Sequence, residues 1–309
     1  MPFLNLSHIT RYTYRQPVSF GEHRIMVRPR ESYDQHLIDA ELNIDPAPAD
    51  IRWLQDVFGN SVAIATFDRP ARELVFDSQI RLQHMPSELQ HVDIEDYAQG
   101  YPFTYSSEDM PDLLRSIERQ HHDPQRQIDS WARRFVNTDG PTDTLHMLSE
   151  MTRAIKREFT YVGRPEKGTQ SPIETLARRK GTCRDYAMLM IEAVRALGFA
   201  ARFVSGYVYN PTATEARTGG GNTHAWVRVY LPGSGWVEFD PTNGIVGSRG
   251  LIRVAVARDI YQAVPISGTW SGFPGSFLDM TVSVDINVDR SVSDKPRPAD
   301  LKPRKTTIC

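Results

Sequence analysis

The chain has two cysteines, Cys183 in its middle and Cys309 as its last residue, too few for a disulfide framework or a cysteine-rich zinc cluster. Thr182, a good helix cap, precedes Cys183. The run that follows carries Tyr186, Ala187, Met190, Val194 and Leu197 at helical spacing, and Gly198 stops it. This pattern predicts a helix from Cys183 to Leu197 with the sulfur at its N-terminus. The partial positive charge there stabilises a thiolate, the nucleophilic form of the side chain. A lone cysteine is more often a small buried hydrophobe. Here Gly181, Thr182, Arg184 and Asp185 surround it with polar residues instead.

A catalytic thiol also needs a base within hydrogen-bond reach and a third group to orient that base. Two predicted strands supply candidates. On Thr223 to Leu231, His224, Trp226, Arg228 and Tyr230 share a face; on Gly235 to Asp240, Trp236, Glu238 and Asp240 share one. A hairpin turning at Pro232-Gly233-Ser234 pairs His224 with a position near 240 to 242, so Asp240 lies opposite or diagonal to it. Spacing alone does not bring Cys183 to His224. The same three side chains could also hold a zinc ion with one open position, and a fold kept only as a binding scaffold is a third reading.

Other signals fade. Gly219-Gly220-Gly221 lacks the Lys-Ser/Thr pair of a phosphate loop and reads as a flexible lead-in to the His224 strand. Asp285 to Asp289 opens like a calcium loop, but Arg290 stands where glycine is required. His121-His122 reads as surface.

Period-2 alternation dominates the first ~90 residues, as in Leu4 to Ile9, Arg24 to Arg28 and Ile80 to Gln83, and predicts an antiparallel β domain over residues 1–90. From about Pro111 the period becomes helical, through Leu113 to Ile117 and Ile128 to Phe135, giving a helical connecting segment over 91–140. A third helix is expected from Thr142 to about Phe159, capped by Thr142 or Asp143. After the Cys183 helix come strands at Ala201 to Tyr209 and the hairpin, and Val282 to Val288 alternates strictly as a closing strand. Residues 141–292 are thus the expected catalytic core. The tail over 293–309 has three prolines, five Lys or Arg and two Asp, and is expected to be disordered.

With 309 residues, 40% hydrophobic and 24% charged, the chain has the balance of a globular enzyme. Its 36 basic and 38 acidic residues leave a net charge of −2, no field for nucleic acid or an anionic membrane. No window approaches ~18 uninterrupted apolar residues, and the first residues lack a signal-peptide pattern, so a cytoplasmic location is expected.

Three segments resemble the motifs of the transglutaminase-like superfamily: Gly181-Thr182-Cys183-Arg184-Asp185-Tyr186-Ala187, Asn222-Thr223-His224-Ala225-Trp226-Val227, and Trp236-Val237-Glu238-Phe239-Asp240-Pro241-Thr242. The opening from His8 to Tyr14, with Arg28-Pro29-Arg30 and Asp56 to Asn60, resembles the N-terminal region of bacterial members. The resemblance implies an α+β fold, in which an antiparallel β domain precedes a papain-like core of a nucleophile helix packed on an antiparallel sheet. It assigns nucleophile, base and orienting acid to Cys183, His224 and Asp240. The implied activity is hydrolysis of a peptide or protein amide through an acyl-enzyme, with no cofactor and no metal, transfer to an amine being the alternative. Tyr161, Thr182 and Trp226 are the candidates for the oxyanion site and substrate cleft, beside the Cys183 N–H. Ala257 to Tyr261 departs from the Gly-Arg-Asp-Tyr form of the family and is expected to alter the loop near the cleft.

Overall fold

The computed structural model describes residues 2–86, 92–163, 168–211 and 217–289. The N-terminal region contributes β1 (Phe3–Ile25), β2 (Gln35–Asp45), β3 (Asp50–Gln55), β4 (Ser61–Thr66) and β5 (Ala71–His84). Short elements follow: α1 (Asp96–Gln99), β6 (Gly100–Tyr101), α2 (Met110–Ile117), α3 (Gln127–Arg133) and β7 (Thr142–Asp143). Next come α4 (Thr144–Glu158), β8 (Thr160–Tyr161), α5 (Pro172–Arg178), β9 (Lys180–Gly181) and α6 (Cys183–Ala196). The chain continues through β10 (Ala201–Val208), β11 (His224–Leu231), β12 (Gly235–Asp240), β13 (Ile245–Val246) and β14 (Leu251–Ala257). A 3₁₀ turn (Ile260–Ala263) leads to β15 (Ile266–Ser271) and β16 (Phe277–Asp289). The fold is therefore mixed helix and antiparallel sheet, as expected. The tail with Cys309 lies outside the described residues.

A five-stranded sheet in the order β13-β12-β11-β10-β14 forms the frame of the core. Helix α6 lies against it and is buried on nearly every side, Asp185, Glu192 and Arg195 included, the mark of a helix enclosed by other elements. Tyr186, Ala187, Met190 and Val194 share a cluster with Phe203, Ala225, Val227 and Val229 of the sheet. Burying such a side chain contributes about 1.5–3 kcal/mol, so this packing fixes where the helix begins.

The N-terminal sheet has seven strands, and β1 is its spine. Residues Phe3 to Thr13 pair with β5 on one side and β16 on the other. Beyond a register shift, its far end pairs with β4 and β15. The order along the chain grouped residues up to 292 with the core; instead, β15 and β16 return to the N-terminal sheet.

Leu4, Leu6, Ile80 and Leu82 of that sheet pack against Tyr207, Tyr209, Ile252 and Val254 of the core. A buried charge cluster crosses the same interface. Arg253 donates to Glu238 at 2.8 Å and to both oxygens of Asp34, and Arg228 reaches Glu238 at 3.1 Å. Burial pushes the Asp34 carboxyl up, but hydrogen bonds and charge from Arg253 outweigh it and hold the group well below the usual carboxylate range.

Candidate active site

Cys183 opens α6 and is 7% exposed. Its position is set by a reciprocal cap: the Thr182 N–H donates to Asp185 Oδ2 at 2.8 Å, and the Asp185 N–H returns to Thr182 Oγ1. Asp185 also accepts from the Gln170 N–H at 2.7 Å, tying down the preceding loop. Gly181 is required for this approach, because a Cβ there would stand 2.9 Å from the Asp185 Cβ. The motif thus divides in two, with the acid in Cys-x-Asp building the helix start and the cysteine occupying it.

His224 is the first residue of β11. The β11–β12 register pairs Val227 with Phe239 and Arg228 with Glu238, so Asp240 lies diagonal to His224. His224 Nε2 donates to Asp240 Oδ2 at 2.8 Å, with both side chains fully buried. Nδ1 has no hydrogen-bond partner among the described residues, and Cys183 is the other titratable neighbour acting on the ring beside Asp240. Thiol, imidazole and carboxylate therefore form a line. In a line, the two ring nitrogens point away from each other, and no single point lies within the ~2.0–2.3 Å that zinc requires of all three side chains. No group of three or more His, Cys, Asp or Glu among the described residues is placed to hold a metal.

The electrostatics follow from this line. Burial pushes the Cys183 thiol up, but the neighbouring His224, helped by Arg184, brings it below its ordinary value. Burial disfavours the His224 cation, yet Asp240, by charge and hydrogen bond, raises the imidazole to about 10. Both shifts favour the thiolate–imidazolium form of the pair.

Asn243 is a site residue that sequence reasoning missed. Its Nδ2 donates to Asp240 Oδ2 at 2.8 Å and to Thr218 O at 3.1 Å, while its Oδ1 accepts from the Thr218 N–H at 2.8 Å. The N–H groups of Thr242 and Asn243 donate to Asp240 Oδ1 at 2.9 and 3.3 Å. Asp240 is held by four donors, and Asn243 also fixes the loop that crosses the imidazole. In that loop Gly219 has φ +96°, and a Cβ would come within 2.7 Å of His224 Nδ1. Gly219 thus lies over the base, in a segment read from the sequence only as a flexible lead-in. The available signal was Asn243-Gly244, which on its own reads as a turn.

A cleft of about 590 Å³ opens over Cys183. Thr182, Arg184 and Thr223 line its core side; β1, β15 and β16 line the other. Thr182 thus meets both expectations, cap and cleft. Tyr161 is not among the residues that line the cleft, but the parallel pairing of β8 with β9 sets it beside Gly181, two residues before the cysteine. Burial, with the neighbouring Cys183, pushes its phenol up to about 12, so it stays protonated. Trp226 does not line the cleft. It shares the face of His224 and stacks on that ring at 5.9 Å, but Val204, Val208, Leu251 and Val256 cover it completely. Glu238 also has no access to the cleft, being held in the Arg253 cluster. In the 3₁₀ turn, Asp259 caps Tyr261 and Gln262, and Ile260 and Tyr261 form the rim of the cleft, where the sequence departed from the family pattern.

Residues 4–83 match the family model described as the bacterial transglutaminase-like N-terminal region, and residues 129–241 match that of the transglutaminase-like superfamily. An uncharacterised protein of Mycobacterium tuberculosis is 28% identical over 303 residues, covering 90% of this chain and 91% of its own. A protein-glutamine gamma-glutamyltransferase of Pseudomonas aeruginosa is 36% identical over 74 residues, 23% of this chain and 11% of its own. Among solved structures, a proposed cysteine protease of Cytophaga hutchinsonii shares the fold, with a TM-score of 0.69 over 97% of this chain and 94% of its own at 18% identity.

Proposed function

We propose that this chain, a protein of the transglutaminase-like superfamily carrying the bacterial transglutaminase-like N-terminal region, is a thiol-dependent amide hydrolase that works through an acyl-enzyme on Cys183. The observation that carries the reading is the line from the Cys183 sulfur through His224 to Asp240, at the base of a cleft. The thiolate attacks the amide carbonyl and forms the C–S bond. The developing oxyanion accepts from the Cys183 N–H, unpaired as in any first helical turn, and from the Tyr161 hydroxyl. Imidazolium His224 protonates the departing amine as the C–N bond breaks. Water then attacks the thioester, gives its proton to His224, and the thiolate leaves. Asp240 holds the ring and the cation throughout.

Transfer of the acyl group to an amine is the second reading, favoured by the local match to the Pseudomonas glutamyltransferase. Peptide and isopeptide pools incubated with wild type and Cys183→Ala, with and without a small primary amine, separate the two by mass spectrometry. Hydrolysis gives products carrying one added water with wild type only; products carrying the amine would select transfer. Equal turnover by Cys183→Ala would overturn both.

A further inference from the structure

One wall of the cleft takes no part in the chemistry above. Cross-strand neighbours of β1 and β16 line it: Thr10 beside Val282, Tyr12 beside Met280 and Tyr14 beside Phe277. At its end the Tyr14 ring lies 5.2 Å from Trp270 and 6.0 Å from Phe277, an aromatic cluster present before any substrate arrives. Tyr261 faces the cleft from the 3₁₀ turn and is 72% exposed, while Met280 is 45% exposed. Large apolar groups left uncovered around a nucleophile are the ordinary construction of a ligand site, and ~300–1,000 Å³ is the usual size of one.

Charge narrows what fits. Among the described lining residues there is no Asp or Glu, and Arg184 is the one fixed cation. His8 adds no charge: both ring nitrogens are engaged, with Tyr207 and Thr10, and burial holds it down to about 4. A lysine or arginine entering this wall would find no counter-ion.

The backbone points to a peptide. Among the described residues β16 pairs only with β1. The Val284 N–H turns away from β1 and donates to Gly221 O at 3.0 Å. By the alternation of an antiparallel ladder, the N–H and C=O of Met280 and Val282 face the same outer side. Such an edge accepts an extended chain as an added strand.

We propose that the N-terminal sheet is the substrate-selecting wall of this site. It binds an extended peptide along the outer edge of β16 and seats a bulky apolar side chain beside the scissile amide, against Tyr12, Tyr14, Trp270, Phe277 and Met280. The proposal rests on the amide-hydrolase reading for the reaction but not for the binding. This gives the N-terminal region a task at the active site and makes specificity a property of two sheets.

The test measures binding and turnover separately. Labelled peptides that vary one position among Phe, Leu, Ala, Asp and Lys are titrated onto Cys183→Ala protein, and kcat/KM is measured with wild type. Phe and Leu should exceed Lys by about tenfold or more in both. Met280→Glu should shrink that ratio mainly through KM and leave iodoacetamide reactivity of Cys183 unchanged. Val57→Ala, on a residue 92% exposed and outside the cleft, is the control. Methylating peptide amides in turn should weaken binding at alternate positions. A flat side-chain preference unmoved by Met280→Glu would overturn the wall. Equal affinity for a non-peptide apolar amide, with no effect of methylation, would overturn the peptide. Selective binding without turnover would leave the wall standing and refute the hydrolase.

Discussion

Replacing Asp240 by Asn should cut turnover by about 10²–10⁴-fold while leaving a folded protein, and the hydrogen bonds show why. The carboxylate only accepts, and all four of its partners donate: His224 Nε2 and Asn243 Nδ2 on one oxygen, the N–H groups of Thr242 and Asn243 on the other. An amide must turn its NH₂ toward one pair. Facing the backbone, it opposes two fixed donors. Facing His224, it forces Nε2 to accept, which moves the ring proton to the side of Cys183 and removes the base. Asn243 cannot flip to compensate without losing both hydrogen bonds to Thr218. The displacement of His224 from 6.5 to about 10 corresponds to about 4–5 kcal/mol in favour of the imidazolium, shared between Asp240 and the thiolate. Loss of the larger share, about 3–4 kcal/mol, accounts for about 10²–10³ of the stated fall in kcat, and loss of the base for the rest. The mispaired amide should also lower Tm by roughly 3–10 °C. Glu238→Gln is the comparison. Its carboxylate serves Arg253 and Arg228, so it should lose Tm through a broken buried pair and keep kcat at temperatures where it remains folded. Near-wild-type kcat in Asp240→Asn, with a large loss in Glu238→Gln, would refute the assignment of the orienting acid.

Alkylation by iodoacetamide should map to Cys183, abolish activity, and already be fast below the ordinary thiol range, because His224 holds the thiolate; Cys309 is the internal control, and equal rates at the two cysteines near neutral pH would contradict this. On the alkaline side the two readouts should part: acyl transfer, which needs imidazolium, falls as pH rises through about 10, whereas alkylation does not. Asn243→Ala should lower kcat by about tenfold with little change in KM, since one donor to Asp240 and the anchor of the Thr218 loop are lost; an unchanged kcat would remove Asn243 from the site. Chelators should leave turnover intact, and one zinc per chain that disappears in Cys183→Ala would restore the metal alternative.

The places of Cys183, His224 and Asp240 were legible by local rules, a cap and a helical stripe for the first, strand parity and a turn for the other two, but only the resemblance to family motifs joined the first to the others. The same parity misplaced Trp226. It gives the face of a strand but not what covers that face, and β10 and β14 cover this one. Asn243 was hidden because its partner Thr218 lies across a loop, and nothing at either position announces the other. The return of β15 and β16 to β1 was hidden for a related reason: Val282 to Val288 reads as a strand wherever it pairs, and periodicity carries no address. One wall of the cleft therefore could not be read from the motifs.

The pairing of β1 with both β5 and β16 also orders events during synthesis. Phe3 meets Asp289 and His8 meets Val284, so almost the whole described chain separates these partners. On the ribosome, β1 can take up β5 early, but its other edge stays open until β16, the last of the described strands, emerges. By then Cys183, His224, Asp240 and Asn243 have all been translated. A nascent chain would thus hold its nucleophile beside a half-built wall, and the arrival of β16 would be the step that completes the wall. A chain ending before Phe277 would separate the two properties: a thiol able to react, without the surface that tells it with what.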